Sequence, residues 1–153
     1  MSRTFENRYF KKVAEQTSDA IVIADRAGRI TWTNPAFVKL CGYERREVLG
    51  KKPGSFLQGK QTDRKTAHNV KEAIRKRTPI QAEILNYHKD DHPYWVHLSI
   101  DPLHDANGEP TGFIAVERDI TPEVLERRRT EEEFGSVYRA LIDTLKHQET
   151  VVE

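Results

Sequence analysis

Alternating apolar and polar positions predict a strand, a turn and a second strand between Pro79 and Ile100. Side chains on a strand point to opposite faces in turn, so residues two apart share a face. On the first strand, an otherwise apolar row reaches the side-chain amide of Asn86. A buried amide without a partner costs about 1–3 kcal/mol, so we expect Asn86 to bond to another protein group or to a ligand. One face of the second strand carries Tyr94, Val96, Leu98 and Ile100.

Three more strands are predicted on either side of this hairpin. The β-branched run Ala20–Ala24 and the segment Arg29–Thr33 flank a turn that ends in Gly28, so they form a hairpin of their own. The third strand, Thr111–Asp119, follows the turn-forming sequence LHDANGEP. Its alternation places Glu117 on the same face as two apolar residues, Phe113 and Ala115.

Helical spacing of apolar residues predicts three helices between Thr33 and Pro79, at residues 34–41, 44–49 and 63–76. Asn34 precedes a proline and can cap the first helix, and Asp63 can cap the last. The stretch GKKPGSFLQGKQTD contains several glycines and a proline and receives no element. Cys41 lies on an apolar helix side, so we expect a buried core residue there.

Amphipathic helices are predicted at both ends of the chain. The N-terminal helix covers residues 3–17, and the C-terminal helix is expected to open at Pro122 with Thr121 as its cap. An apolar stripe on an exposed helix needs a cover, which the matching helix of a homodimer or the chain's own sheet would provide. The N-terminal stripe is Phe5, Tyr9, Phe10 and Val13, and the C-terminal stripe is Phe134, Tyr138, Leu141 and Leu145.

The order of elements predicts an α+β fold with a five-stranded antiparallel sheet and short helices on one face. We expect an N-terminal amphipathic helix at 1–18, a core at 19–120 and a C-terminal signalling or dimerisation helix at 121–153. Both faces of the three long strands are partly apolar. One face should therefore cover a core or cavity under the three helices, and the other should meet a terminal helix or a partner subunit.

Composition excludes several classes of protein. The 153 residues carry a formal net charge of +1, which argues against nucleic-acid or membrane-surface binding. Neither a membrane-spanning run nor a secretory signal is evident. A single cysteine rules out an internal disulfide and a cysteine-built metal site. We expect a cytoplasmic protein without enzymatic activity, because no catalytic constellation is present.

The six histidines do not predict a metal site. His88 and His92 bracket the hairpin turn and His97 lies on the outer face, so we expect these side chains not to converge. His68 is expected to face solvent rather than to ligate haem. Lys51 and Lys52 are interpreted as solvated charges.

The motifs GYERREVLGKKPGSFLQGKQTD and EILNYHKDDHPYWVHLSIDPL, with the closing sequence Asp-Ile-Thr at 119–121, together resemble those of PAS sensor domains over about residues 6–121. Within that family the chain is most similar to light-oxygen-voltage (LOV) domains, which bind FMN and form a photoadduct through the cysteine of an Asn-Cys-Arg-Phe-Leu-Gln motif. Here Phe56–Gly59 matches the end of the motif, but Pro53, Gly54 and Ser55 precede it, so Gly54 stands at the place of the cysteine and is counted among the candidate cofactor-binding residues. The resemblance therefore implies a LOV-like domain without the adduct-forming nucleophile.

The resemblance also implies candidate flavin-binding residues. Asn86 and Gln58 match flavin-contacting amides of the family, and Lys71 stands where a phosphate-binding arginine is usual. Three positions depart from the pattern: Val96 replaces the second ring-binding amide, Ser55 replaces the arginine expected beside the cysteine, and Glu117 replaces the glutamine that senses the flavin's N5 atom. A carboxylate facing a pocket is costly unless it is protonated or paired. We expect flavin, as FMN or FAD, or another small ligand, or a pocket filled by side chains in which Asn86, Gln58 and Glu117 bond to one another or to buried water.

Two functional hypotheses follow. In the first, the chain is a sensory input module that detects a small ligand or redox state and transmits the change to its C-terminal helix. The family implies a homodimer and a downstream effector such as a histidine kinase or diguanylate cyclase. In the second, the domain binds no ligand and acts as a dimerisation scaffold.

Overall fold

The computed structural model describes residues 3–149, without the side chains of 3–6 and 148–149. Residues 1–2 and 150–153, and the side chain of Phe5, lie outside this description. The helices are α1 (Arg3–Gln16), α2 (Pro35–Cys41), α3 (Arg45–Val48), α4 (Gly54–Leu57), α5 (Arg64–Lys76) and α6 (Thr121–Glu149). The strands are β1 (Ala20–Ala24), β2 (Ile30–Thr33), β3 (Ile80–Tyr87), β4 (Pro93–His104) and β5 (Pro110–Asp119).

The five strands form one antiparallel sheet in the order β2-β1-β5-β4-β3. The last strand, β5, therefore occupies the centre and pairs with both β1 and β4. The predicted α+β class and five-stranded antiparallel sheet are confirmed. The alternation in the sequence could predict five strands, but the central place of β5 depends on pairing between distant segments.

The hydrophobic core joins the sheet to the short helices. Each of α2, α3, α4 and α5 contributes at least one buried apolar side chain, and the strands supply the rest. Cys41 is fully buried in this core, as predicted. The helical members of the core are Phe37, Cys41, Val48, Leu57 and Val70.

Asn34 connects three parts of the fold through its side chain. Its Oδ1 accepts hydrogen bonds from the amides of Phe37 (3.1 Å) and Ile21 (2.8 Å). Its Nδ2 donates to the carbonyls of Ala14 (2.8 Å) and Asp19 (2.9 Å). The predicted helix cap is thus confirmed, and the same buried amide also binds the start of β1 to the end of α1.

Two predicted details were wrong. The stretch that received no element contains the helix α4, one turn long, whose Leu57 is buried. This turn of helix begins at Gly54 directly after Pro53, and these residue types usually mark a loop. The C-terminal helix begins with Thr121 as its first residue, rather than being capped by it.

The chain forms two compact units that divide between Ile120 and Thr121. In the first unit, the α1 stripe leaves Tyr9, Phe10 and Val13 exposed. The second unit is the long helix α6, which leaves at least half of each side chain of its predicted stripe accessible to solvent. The three-part division at residues 18 and 120 stays a prediction.

Candidate functional site

A cavity of about 540 Å³ lies between the inner face of the sheet and the helices α4 and α5. Ligand pockets typically enclose about 300–1,000 Å³, so the space is large enough for a small cofactor. Its walls are mostly apolar, with polar groups placed at a few positions. The apolar wall includes Val22, Leu57, Val70, Ile74, Ile84, Leu98, Ile100 and Ala115.

Asn86 is buried at the end of β3 and lines this cavity. Its cross-strand partner on β4 is Tyr94, whose hydroxyl is also buried. That hydroxyl lies near the Asn86 amide but not in hydrogen-bonding geometry. Burial raises the pKa of Tyr94, so its hydroxyl stays protonated and can donate a hydrogen bond. Asn86 therefore brings hydrogen-bonding capacity to one end of an apolar pocket, and Tyr94 is not among the residues that line it.

Glu117 lines the same cavity from the central strand β5, between its partners Ala20 on β1 and Leu98 on β4. It is only 4% exposed, and its Oε2 atom has no hydrogen-bond partner among the described residues. Burial raises the pKa of this carboxyl to about 7. Neutral and ionised forms are therefore both accessible near neutral pH. In the alternative in which Asn86, Gln58 and Glu117 bond to one another or to buried water, bonds among the three side chains do not reach Oε2.

Helix α4 brings Gly54 and Gln58 to the cavity. The following loop is fastened to β3, because the Thr62 hydroxyl donates to the carbonyl of Leu85 (2.7 Å) and accepts from the amide of Gly59 (3.0 Å). Gly54 lies so close to Gln58 that a Cβ built on it would be 3.1 Å from Nε2. The two residues thus occupy one corner of the site.

Lysines mark the rim of the cavity. Lys71 on α5 and Lys52 before α4 are both exposed residues that line it. Lys52 is exposed, in keeping with its interpretation as a solvated charge, and it also borders the cavity. His68 is exposed, as expected, yet it also borders the cavity. Spacing in the sequence could not reveal these contacts, because Lys52 and Lys71 come from different elements.

Of the six residues predicted to bind a cofactor, five line the cavity, and their role in binding stays a prediction. Val96 does not belong to this set. It is fully buried in the hydrophobic core rather than among the cavity-lining residues. Alternation correctly placed Val96 on the face of Leu98, but it does not indicate where along a strand the cavity ends.

Cys41 also lies outside the set of cavity-lining residues. Burial raises the pKa of its thiol to about 11, and Sγ lies 4.0 Å from the carbonyl oxygen of Tyr43. Because the thiolate is the nucleophilic form of cysteine, this thiol is a poor nucleophile at neutral pH.

Two histidines were wrongly predicted to stay apart. The side chains of His88 and His92 converge with that of Asp90 at the turn between β3 and β4. Bracketing a turn brings side chains together when both point to the same side of it, and sequence spacing alone does not reveal this direction.

Comparison with known proteins finds a matching family and several relatives of this chain. The profile of the PAS domain family matches residues 18–122. The blue-light-activated histidine kinase of Brucella canis is 42% identical over 95 residues, which are 62% of this chain and 19% of that protein. Blue-light-activated histidine kinase 1 of Erythrobacter litoralis is 33% identical over 132 residues, or 84% of this chain and 36% of that protein. The chain thus spans about a fifth of the Brucella relative.

Solved structures share the fold. An RNA-binding light-oxygen-voltage receptor has a TM-score of 0.77 and 28% identity over 89% of this chain and 39% of that chain. A LOV domain from an Erythrobacter litoralis blue-light activated histidine kinase has a TM-score of 0.64 and 28% identity, over 69% of this chain and 99% of that chain. No helix within residues 3–149 combines the length and apolar character needed to cross a membrane.

Proposed function

The chain belongs to the PAS domain family, and from that premise we propose that it is a sensory input domain that holds a flavin and responds to its state without cysteine photochemistry. The family resemblance and the histidine-kinase relatives support a role in signal transduction. The proposal adds the ligand, FMN or FAD, and the kind of response. It assigns no enzymatic activity to this chain.

One observation carries the ligand proposal. Asn86 and Glu117 are both buried polar residues on the wall of one apolar cavity, and a Glu117 oxygen has no protein partner among the described residues. An unsatisfied buried polar atom costs about 1–3 kcal/mol. A ligand that presents a donor to Glu117 and a polar edge to Asn86 would remove that cost. A flavin ring fits because it is flat and largely apolar with polar edges.

The two lysines at the rim of the cavity favour a ligand that carries a phosphate group. Lys52 and Lys71 line the cavity from separate elements, and their ammonium groups would attract the phosphate that both FMN and FAD carry. A lysine binds phosphate as a point charge, without the two-pronged geometry of arginine. The exposed position of both lysines fits a phosphate at the mouth rather than inside.

The thiol chemistry of this chain supports a response other than adduct formation. Its single cysteine is buried in the core with a raised pKa, and Gly54 is the residue aligned with the reactive cysteine of LOV domains. A bound flavin would supply reversible electron and proton transfer. The protein's part would be to orient the ring with Asn86 and Gln58, and to hold or release a proton at the Glu117 carboxyl.

Transmission would run through β5. Glu117 is four residues before Thr121, where α6 begins directly after that strand. A change in the hydrogen bonding of Glu117 shifts the conformational equilibrium of β5 only if the two ligand states interact with Glu117 differently. We propose that α6 carries this difference, within a homodimer, to an effector such as a histidine kinase or diguanylate cyclase. A cytoplasmic location stays a prediction of the sequence.

The direct test is to identify what purified protein carries. The full chain is denatured, the supernatant is analysed by mass spectrometry, and the visible absorption of the native protein is recorded. We expect FMN or FAD in the supernatant and a flavin spectrum. A protein that carries no small molecule and does not take up added FMN or FAD would support the ligand-free dimerisation scaffold instead.

A matched pair of variants tests the site. Asn86→Leu should lower flavin content at least tenfold while the circular dichroism spectrum stays unchanged, because it removes an amide that faces the cavity. Asn69→Leu makes the same change at an exposed residue of α5 and should retain the flavin. Equal flavin content in the two variants would contradict the assigned role of Asn86.

A further inference from the structure

A cluster of two imidazoles and a carboxylate lies at the tip of the hairpin between β3 and β4. It consists of His88, Asp90 and His92, alternate residues of a short turn. Asp90 and His92 are exposed and His88 is half-buried. None of the three lines the flavin cavity, so the proposed function leaves this cluster without a role.

The three side chains converge on one atom. The Asp90 Oδ1 atom lies 3.1 Å from His88 Nδ1 and also contacts His92 Nδ1. The two imidazole rings stack with their centroids 4.4 Å apart and their planes 19° from parallel. One ligand atom from each residue lies within 4.8 Å of the others. Small rotations of exposed side chains would bring these atoms to the roughly 3.3 Å separations of ligands around one metal ion.

We propose that His88, Asp90 and His92 form a binding site for one first-row transition-metal ion of the Zn²⁺, Ni²⁺ or Cu²⁺ type. Two imidazole nitrogens and a carboxylate oxygen suit these ions. Mg²⁺ and Ca²⁺ prefer oxygen ligands and would not use the histidines. Three protein ligands leave coordination positions for water, in keeping with the exposed surface of the turn.

Packing of the His88 ring against the backbone turns its Nδ1 atom toward the site. Gly42, which follows α2, has no side chain, and a Cβ there would overlap Cε1 and Nε2 of His88. The Nε2 side of the ring therefore packs on Gly42, and Nδ1 is left to face Asp90. The backbone amide of Asp90 lies 3.2 Å from His88 Nδ1. A bound metal ion would take the lone pair that this amide now uses.

Backbone hydrogen bonds hold the turn that carries the ligands. The amide of His88 donates to the carbonyl of His92 (2.9 Å), which closes the hairpin. The amide of Lys89 donates to the carbonyl of Cys41 (2.9 Å), which joins the turn to the end of α2. Because these bonds order the backbone before a metal arrives, less conformational entropy is lost on binding.

The test uses untagged full-length protein freed of metal with a chelator. Titration with ZnCl₂ and with NiCl₂ by isothermal calorimetry should show one ion bound per chain, and the ion should raise the melting temperature. His92→Ala should weaken binding at least tenfold, and Asp90→Asn should weaken it as well. His92 is the exposed histidine of the pair, so its removal leaves the contact of His88 with Gly42 in place.

His104→Ala is the matched control, since it removes an exposed histidine from the far end of β4. This variant should bind zinc and nickel as the unmodified protein does. The proposal is overturned if the unmodified chain binds neither ion, or if His92→Ala binds as tightly as His104→Ala. Neither result depends on flavin, so the metal site and the flavin cavity can fail separately.

Discussion

Asn86 and Glu117 line one cavity from strands that are not neighbours in the sheet. Asn86 belongs to β3 and Glu117 to β5, and β4 lies between them. Both side chains point to the helical side, because the pairings of β4 keep Ala82, Leu98 and Glu117 in one row across the sheet. Asn86 lies four residues along β3 from Ala82, so the polar pair is separated both across β4 and along the strands, which suits a ligand with two separated polar edges.

The Glu117 carboxyl should make stability depend on pH. Its pKa is about 7 in the folded state against an ordinary value of 4.5, so between these values the folded state binds more protons than the unfolded one. The free energy of unfolding should therefore fall as pH rises through this window, by roughly 3 kcal/mol in total. Glu117→Gln should abolish this loss, because the amide stays neutral.

Urea unfolding of ligand-free protein at about pH 5 and about pH 8 measures the effect. The free energy of unfolding of Glu117→Gln should increase relative to that of the unmodified protein as pH rises. The charged or titratable groups near Glu117 are Cys41 and Tyr94, which interact with it electrostatically, and Lys52, His68 and Lys71 along the cavity. Glu109→Gln, at an exposed turn residue, is the control. A parallel pH dependence in Glu117→Gln and unmodified protein would contradict the assignment.

Gly54→Cys should introduce light-dependent chemistry if a flavin is bound. The change places a thiol at the cavity-lining position that aligns with the reactive cysteine of LOV domains. A Cβ there would be 3.1 Å from Gln58 Nε2, a contact that the flexible end of Gln58 can relieve. Blue light should then bleach the flavin's visible absorption, with recovery in the dark.

Ser55→Cys adds a thiol at the next residue and serves as the control for Gly54→Cys. Visible spectra recorded before and after illumination should change reversibly in Gly54→Cys only. Flavin-loaded Gly54→Cys that does not respond to light would show that residue 54 does not face the reactive part of the ring.

The apolar stripe of α6 should mediate self-association. Phe134 and Leu141 are 73% and 55% exposed on this helix, although apolar groups of this size are usually covered. Leu141→Asp combined with Leu145→Asp places two charges on the stripe and should convert a dimer to a monomer in sedimentation equilibrium. Ser136→Asp combined with Ala140→Asp places the same charges on the opposite helix face and should leave the dimer intact. Equal masses for both double variants would exclude this interface.

Asn34→Ala should destabilise the fold substantially. The substitution removes four hydrogen bonds of a buried side chain and leaves the amide of Ile21 without its acceptor, whereas the amide of Phe37 keeps its bond to the backbone carbonyl of residue 34 (3.2 Å). We expect a loss of roughly 2–4 kcal/mol in the free energy of unfolding, measured by urea titration. Asn34→Asp keeps the acceptor but sets a carboxylate oxygen against the carbonyls of Ala14 and Asp19, so its loss should be at least as large. A change below about 0.5 kcal/mol for Asn34→Ala would show that water replaces these bonds.

Local patterns in the sequence predicted the elements well. β-branched residues and alternation located β1, β3 and β5, and Asn34 and Asp63 were recognised as helix caps, which the hydrogen bonds to Phe37 and Thr66 confirm. These features depend on interactions between residues close together in the chain. Helix α4 was missed because it begins at Gly54 directly after Pro53, residues that usually mark a loop, and the place of Lys52 at the cavity was not predicted because that contact is long-range.

By itself the sequence determined the strands, the major helices, the buried Cys41 and the polar character of positions 86 and 117, because each follows from local periodicity and residue chemistry. Only the tertiary structure decided which of these residues share a space. It placed Glu117 on the central strand with an unsatisfied oxygen, moved Val96 from the cavity to the core, and joined His88 to His92. The reason is physical: strand order and the folding of a turn depend on contacts between distant segments, which a one-dimensional pattern does not specify.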